Sequence, residues 1–225
     1  MIAKKSKLIS QGIRVGIVDD HPSVREGLRM LLDREAGFEV CGEAGSVAEA
    51  MKMIARESPD VTVMDVTLGK ENSLPMIKRL KAQNSSIRIL VWSMFDDLLY
   101  AERALSAGAL GYINKQQPTA MIFQAIRKVM DGGVYVSEQM ANHMMHRSVG
   151  GRPNEDMSPI ASLSNRELEV FRKIGGGMTT VEISRDLHLS VKTVETHRQR
   201  IKDKLQIEDA TKLVCAATQW ALENA

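Results

Sequence analysis

The fold is decided by residues 61–65, VTVMD, in which a run of apolar and β-branched residues ends at an aspartate. The run is short and does not alternate with polar residues, which is typical of a strand buried on both faces of a parallel sheet. Three further runs have this character and also end in polar residues: residues 13–20 (IRVGIVDD), 87–93 (IRILVWS) and 111–115 (GYINK). Ligand sites of open parallel sheets lie just beyond the carboxyl ends of the strands. The sequence therefore predicts that these polar residues meet in one crevice.

The chemistry of these strand ends favours a phosphorylated aspartate. They supply the carboxylates of Asp19, Asp20 and Asp65, the hydroxyl of Ser93 and the ammonium of Lys115. An acyl-phosphate site needs a carboxylate acceptor, carboxylates for a cation, and donors for the phosphoryl oxygens. Taken singly, an aspartate here commonly only caps the next helix, and a lysine is commonly solvated. Their combination predicts Asp65 as the phosphoryl acceptor.

The pattern of elements predicts two domains joined by a linker. Strands alternate with amphipathic helices as far as position 130, which predicts an α/β, doubly wound (βα)5 domain over residues 12–132. Residues 148–159, SVGGRPNEDMSP, have the composition of a flexible linker. The whole linker is predicted to span residues 133–158, with a short helix near its start. Residues 159–225 are predicted to form an all-α domain of four helices. The short HLS segment at 188–190 gives its second and third helices helix-turn-helix spacing.

Composition excludes several classes of protein. The 225 residues are 44% hydrophobic and 4% aromatic, so the cores are expected to be aliphatic. A net charge of +2 gives the chain as a whole little attraction for nucleic acid, so any such binding must come from a local patch of positive charge. Cys41 and Cys215 are predicted to be reduced, buried thiols. The basic N-terminus precedes no apolar segment of a signal peptide, and no apolar run would span a membrane, so a cytoplasmic location is expected.

Six short motifs in this order resemble a response regulator of the NarL/FixJ family, a receiver domain followed by a LuxR-type DNA-binding domain. The receiver motifs are residues 18–22 (VDDHP), 64–66 (MDV), 93–97 (SMFDD) and 108–115 (GALGYINK). The DNA-binding motifs are residues 163–170 (LSNRELEV) and 191–197 (VKTVETH). The resemblance covers nearly the whole chain. Any one motif arises by chance, but the ordered set is specific.

The resemblance implies a magnesium-dependent site. Asp65 would take a phosphoryl group from a partner histidine. The Mg²⁺ ligands would be Asp20, Asp65 and the backbone carbonyl of Thr67, while Asp19 would hold a coordinated water. Mg²⁺ suits this set because it prefers oxygen ligands and retains waters.

It also implies how the phosphoryl group is sensed. Lys115 would pair with the phosphoryl group, Ser93 would donate a hydrogen bond to it, and Tyr112 would be the switch aromatic. Thr67 and Phe95, two positions after Asp65 and Ser93, carry no side chain that readily orients an attacking water. Slow dephosphorylation is therefore expected.

The third helix of the second domain carries concentrated positive charge, which is typical of a recognition helix. A solvated basic face is the alternative, but the helix-turn-helix spacing argues against it. The resemblance implies base contacts from Glu195, Thr196 and Gln199. It implies phosphate contacts from Lys192, Thr193, Arg198 and Arg200. In the fourth helix, Trp220 is a candidate dimer contact, although ordinary core is an equal alternative.

One segment departs from the family pattern. Residues 66–75, VTLGKENSLP, carry Ser73 where the family usually has a glycine before the next helix. A non-glycine residue disfavours positive φ, so this loop is expected to differ in shape.

The resemblance implies a sensor histidine kinase, promoter DNA and, when phosphorylated, a second copy of the chain as partners, with RNA polymerase a further candidate. Two other classes stay open. A phosphohydrolase commonly needs an acid two residues after its nucleophile, where this chain has Thr67. A receiver whose helical domain binds protein would not show salt-dependent DNA affinity.

Overall fold

A parallel sheet of five strands forms the centre of the first of two compact units, in the order β2-β1-β3-β6-β7. The computed structural model describes residues 12–69, 71–148 and 159–223, and these divide between Asn142 and His143. The strands in chain order are β1 (Ile13–Val18), β2 (Phe38–Ala44), β3 (Val61–Met64), β4 (Thr67–Leu68), β5 (Glu71–Asn72), β6 (Ile89–Ser93) and β7 (Gly111–Asn114). The predicted doubly wound (βα)5 architecture is confirmed.

Helices follow the strands of the sheet, and their ends follow local signals. Ser46 Oγ accepts a hydrogen bond from Glu49 N at 3.2 Å, and Asp96 caps the fourth helix. Gly108, at φ +107°, ends that helix because glycine readily adopts the left-handed region. The helices are α1 (Pro22–Arg34), α2 (Val47–Glu57), α3 (Leu74–Gln83), α4 (Asp97–Ala107), α5 (Ala120–Met130) and α6 (Glu138–Ser148).

The spacing of apolar residues in α2 predicts that Val47, Met51 and Ile54 face inward. Ile54 is buried as predicted, but Val47 and Met51 are only partly buried, and Met53 is buried as well. The reason lies in the strands beneath the helix. A Cβ added at Gly42 would lie 2.7 Å from the Met53 side chain, and one added at Gly16 would lie 3.0 Å from it. The two glycines therefore leave the space that Met53 fills, and the helix turns this residue toward the sheet.

The segment after Asp65 folds into a small antiparallel hairpin that the sequence did not predict. Strands β4 and β5 pair Thr67 with Asn72, and Gly69 near the turn has φ +63°. Ser73, which follows β5, is fully buried in the ordinary helical region at φ −78°. The expectation that serine would not adopt positive φ here is correct.

The second unit contains only helices among its described residues. A 3-10 turn (Pro159–Ser162) precedes α7 (Asn165–Gly175), α8 (Thr180–Asp186), α9 (Val191–Leu205) and α10 (Ala210–Glu223). A capping box formed by Ser164 and Glu167 begins α7. Phe171, Val194 and Ile201 are fully buried in the core of this unit. The predicted four-helix helix-turn-helix domain is confirmed.

Some surface features differ from expectation or lie outside the described residues. Both cysteines are free, but neither is buried as predicted, since Cys41 is half-buried on β2 and Cys215 is exposed on α10. In the part of the chain that is described, no helix has the length and apolar character needed to cross a membrane. The predicted linker residues 149–158 and the basic residues at the N-terminus are not described. The domain bounds 12–132, 133–158 and 159–225 stay a prediction.

Candidate functional site

The carboxyl ends of four parallel strands bring the predicted polar residues to one edge of the sheet. Asp19 follows β1, Asp65 follows β3, Ser93 ends β6 and Lys115 follows β7. Strands β1 and β3 are neighbours in the sheet although α1, β2 and α2 separate them in sequence. From β1 the chain first adds β2 on one side and then β3 on the other, so the strand order reverses between β1 and β3. A reversal of this kind leaves a crevice at the carboxyl ends of the strands.

Asp65 lies at the centre of this group. Its side chain is 9% exposed. Its Oδ1 accepts a hydrogen bond from Ser93 Oγ at 2.5 Å, and its Oδ2 accepts one from Lys115 Nζ at 2.5 Å. The backbone amide of Thr67 also points to Oδ1, at 3.4 Å. Each carboxylate oxygen therefore faces a donor that could also bind an oxygen of an attached phosphoryl group.

Lys115 joins two carboxylates. Its buried ammonium pairs with Asp65 and also with Asp19, whose side chain is 3% exposed. Burial acts to lower the pKa of Lys115, but the carboxylates of Asp65 and Asp19 act in the opposite direction and the net shift is upward. The lysine therefore stays a cation and holds the two buried carboxylates together.

A second acidic cluster adjoins this pair at the start of α1. The side-chain ligand atoms of Asp19, Asp20 and His21 lie within 4.8 Å of one another. His21 Nδ1 is 3.1 Å from Asp20 Oδ1 and 3.3 Å from Asp19 Oδ1. The carboxylate oxygens are the hard donors that Mg²⁺ prefers. The residues present therefore fit a divalent cation.

Two residues of this region were missed by the sequence analysis. His21 contacts the aspartate pair, and its position directly after them in the sequence could have indicated this contact. Arg25 Nη1 donates to the backbone carbonyl of Asp19 at 2.6 Å. Its position one turn into α1 gave no comparable signal, because such an arginine is ordinarily solvated.

The Tyr112 side chain is buried on β7. It is 1% exposed, and its hydroxyl donates to the backbone carbonyl of Phe95 at 2.9 Å. Burial raises the pKa of Tyr112 well above its usual value, and nearby acidic groups add to the shift. The ring of Phe95 stacks on Tyr100, with the centroids 4.9 Å apart. Tyr112 is therefore attached to the loop that carries Phe95, next to Ser93.

Helix α9 presents most of the predicted DNA contacts on its surface. Its N-cap, Ser190, accepts a hydrogen bond from Thr193 N at 3.1 Å. The residues exposed on α9 include Lys192, Glu195, Thr196, Gln199 and Arg200.

Two of the predicted phosphate contacts are less accessible. The Arg198 side chain is only 14% exposed, and its Nε lies 3.9 Å from Glu195 Oε2. The Thr193 hydroxyl shares a 2.8 Å hydrogen bond with Ser190 Oγ. The Arg198 side chain is therefore less accessible than those of Lys192 and Arg200, which are exposed.

Comparison with known proteins identifies both halves of the chain. Residues 15–127 match the family described as response regulator receiver domain, and residues 161–217 match bacterial regulatory proteins, luxR family. Response regulator UvrY of Escherichia coli strain K12 is 32% identical over 213 residues, which are 95% of this chain and 97% of UvrY. BvgA of Bordetella pertussis is 32% identical over 201 residues, 89% of this chain and 94% of BvgA.

Solved structures show the same fold. A LuxR-family two-component response regulator from Aurantimonas sp. SI85-9A1 is 33% identical, with a TM-score of 0.57 over 62% of this chain and 99% of that one. RcsB of Salmonella enterica serovar Typhimurium, bound to promoter rprA, has a TM-score of 0.70 at 23% identity, over 92% of this chain and 99% of RcsB.

Proposed function

We propose, since the chain belongs to the NarL/FixJ family of two-component response regulators, that a sensor histidine kinase phosphorylates it on Asp65 and that this promotes binding to promoter DNA. The observation that carries the proposal is the position of the Asp65 carboxylate between Ser93 and Lys115. The family consists of DNA-binding transcription regulators. An acid two residues after Asp65, which a phosphohydrolase would need, is absent because that position is Thr67.

The proposed reaction is a phosphoryl transfer between side chains. A carboxylate oxygen of Asp65 attacks the phosphorus of the kinase phosphohistidine, the P–N bond breaks, and the histidine nitrogen leaves with the bonding electrons and is then protonated. Lys115 balances negative charge on the transferred group, and the Ser93 hydroxyl donates to one of its oxygens. The buried ammonium of Lys115 is already beside Asp65, so little reorganisation is needed.

Asp20, Asp65 and the carbonyl of Thr67 would hold Mg²⁺, and Asp19 would hold a coordinated water. When bound, the cation offsets the mutual repulsion of the carboxylates and the phosphoryl group. The carboxylates of Asp19 and Asp20 support this proposal because they lie together at the carboxyl edge of the sheet.

Tyr112 would connect phosphorylation to the surface of the receiver. When Ser93 moves toward the phosphoryl group, the loop that carries Phe95 moves with it, and the hydrogen bond from Tyr112 to Phe95 must adjust. This would alter the surface near α4, which begins at Asp97. We propose that the altered surface favours pairing with a second copy of the chain.

Helix α9 would read DNA in the major groove. Glu195, Thr196 and Gln199 would face base edges, and Lys192, Thr193, Arg198 and Arg200 would contact phosphates. The exposed positions of α9 support this assignment. The solved complex of RcsB with a promoter and a structure of two RcsB dimers on DNA support it at the level of the fold.

Intact mass spectrometry tests the acceptor. After incubation with acetyl phosphate and Mg²⁺, the full chain is expected to gain one phosphoryl group, and D65N is expected to gain none. Chelation of Mg²⁺, or D20N, should suppress the gain. Labelling that persists in D65N would contradict the assignment of Asp65.

A further inference from the structure

Ser73 makes two hydrogen bonds to the segment that carries the acceptor aspartate. Its Oγ donates to the backbone carbonyl of Asp65 at 2.6 Å, and its backbone N–H donates to the carbonyl of Val66 at 2.7 Å. Ser73 is 0% exposed. One residue therefore holds two consecutive peptide groups directly after the phosphoryl acceptor, without competition from solvent.

These two bonds determine where Thr67 lies. The orientation of the Asp65 and Val66 carbonyls sets the path of the chain into Thr67. In that path the Thr67 amide points to Asp65 Oδ1, at 3.4 Å. The carbonyl of the same residue is a proposed ligand of Mg²⁺. A change in the 65–67 segment would therefore alter both groups that Thr67 offers to the site.

Ser73 also anchors the elements on either side of it. Its carbonyl accepts a hydrogen bond from Ile77 N at 2.9 Å in the first turn of α3, and β5 ends directly before it at Asn72. Asn72 Oδ1 accepts from Leu74 N at 2.9 Å. The end of the β4–β5 hairpin and the start of α3 are thus fixed to the acceptor segment at one position.

The Ser73 side chain matters because it supplies a donor that the backbone at this position lacks. A glycine at this position could donate only its backbone N–H, whereas the serine donates a hydroxyl as well. The backbone at φ −78° suits any residue, so serine imposes no conformational strain. A buried carbonyl that loses its donor is destabilised, and the peptide group is free to turn toward another partner.

We propose that Ser73 is a positioning residue of the phosphoryl-acceptor site. Its hydroxyl holds the Asp65 peptide so that the 65–67 segment presents the Thr67 amide to the carboxylate and the Thr67 carbonyl to Mg²⁺. This inference rests on the proposed phosphorylation of Asp65. It predicts that the hydroxyl controls Mg²⁺ affinity and the rate of phosphoryl transfer.

The test uses the full-length chain and four proteins: wild type, S73A, S73T and S184A. S184A is a matched control, because Ser184 is also buried and its Oγ also donates to a backbone carbonyl, that of Val181, but in α8. Mg²⁺ affinity of the unphosphorylated protein is measured by calorimetry with Mg²⁺ alone. The rate of phosphorylation by acetyl phosphate is measured by intact mass, and urea unfolding gives the folded fraction.

S73A is expected to bind Mg²⁺ several-fold more weakly and, at limiting Mg²⁺, to be phosphorylated about tenfold more slowly, a loss typical of small displacements in a site. S73T keeps the hydroxyl and is expected to recover both properties, and S184A to match wild type. If S73A does not fold, S73G also removes the hydroxyl and serves as the second variant.

Folded S73A with wild-type Mg²⁺ affinity and wild-type rate would overturn the proposal, even if its stability were reduced. Failure of S73T to recover either property would overturn it also. If wild type itself gains no phosphoryl group on Asp65, the proposed function fails, and the Mg²⁺ titration then decides the role of Ser73 separately. Unchanged Mg²⁺ affinity in S73A would reject that role.

Discussion

At the scale of single residues, the buried ammonium of Lys115 has a measurable consequence for stability. K115A is expected to destabilise the first unit by roughly 2–4 kcal/mol, because it leaves the carboxylates of Asp19 and Asp65 buried without their cation. The cost should be smaller in a D65N background, where one of the two negative charges is gone. Urea unfolding of wild type, both single variants and the double variant measures this coupling.

The matched control for this cycle is R127A, which removes a cation that pairs with Glu35 at the surface. Exposed pairs of this kind contribute about 0–1 kcal/mol. Equal losses in K115A with and without Asp65 would show that the two side chains are not coupled.

The lifetime of a phosphoryl group on Asp65 is expected to depend on the side chains around it. Thr67 offers a hydroxyl rather than an amide or acid, and the Phe95 ring stacks on Tyr100. We expect slow dephosphorylation, because neither side chain readily orients an attacking water. T67N should shorten the lifetime, since its amide could orient a water. The decay of the added mass after removal of the phosphodonor measures this, and loss within seconds in wild type would contradict it.

At the scale of elements, variants of α9 should distinguish proposed phosphate contacts from proposed base contacts. K192A is expected to weaken binding to all DNA sequences and to reduce the salt slope by about one, because Lys192 is exposed and is proposed to contact phosphate. T196A and Q199A should instead change which sequence is preferred. Gel shifts at two salt concentrations, with specific and unrelated DNA, distinguish these effects. A K192A salt slope equal to that of wild type would remove Lys192 from the phosphate contacts.

R198A should combine two effects. It removes a predicted phosphate contact, but the side chain is only 14% exposed in the free protein. Its loss is therefore expected to lower the stability of the second unit as well. Binding by R198A is accordingly compared with that of K192A only at temperatures where both are folded.

His197 is expected to make the stability of the second unit depend on pH. Its Nδ1 is buried and has no hydrogen-bond partner among the described residues. Burial lowers the pKa of His197 below 6.5, while the charge of Glu167 opposes the shift. A depressed pKa means that the unfolded chain binds the proton more readily. Stability is therefore fully present above pH 6.5 and declines as the pH falls through that value.

An NMR titration of the histidine ring protons should show one resonance with a pKa below 6.5 that is absent in H197Q. H197Q should also lose part of the acid destabilisation of the second unit. A His197 pKa at or above 6.5 would contradict the prediction.

Elements also differ in how far the sequence predicts them. The strands β1, β3, β6 and β7 were predictable because each is an apolar run that ends at a polar residue. The hairpin of β4 and β5 was not, because strands of two residues carry no periodicity and depend on the turn at Gly69. The inward face of α2 depended on space above Gly16 and Gly42, which only the assembled sheet reveals.

At the scale of the whole molecule, phosphorylation is expected to act through association rather than through contact with DNA. A dimer would place two α9 helices on half-sites about 10 bp apart, one turn of DNA. Sizing and gel shifts, with and without acetyl phosphate and Mg²⁺, test this in the full chain. D65N is the control, since it has the same output unit but no acceptor. Promoter DNA that no form of the protein binds would contradict the regulatory role.

The fragment that begins at Pro159 distinguishes two forms of control. If the receiver is inhibitory, this fragment should bind DNA without phosphorylation. If dimerisation is the switch, fragment and unphosphorylated chain should both bind weakly, and only the phosphorylated chain should bind well. The same gel shifts decide between them.

The hydrogen bond from Lys115 to Asp19 spans 96 positions of sequence. Such a contact forms late, because closing a long loop carries a large entropic cost before any gain is made. A chain still emerging from the ribosome has no acceptor site until β7, an edge strand, joins the sheet. The acceptor site is thus expected to be complete only when the first unit is fully folded. A receiver that is truncated before β7, or whose edge strand is unpaired, is expected not to be phosphorylated.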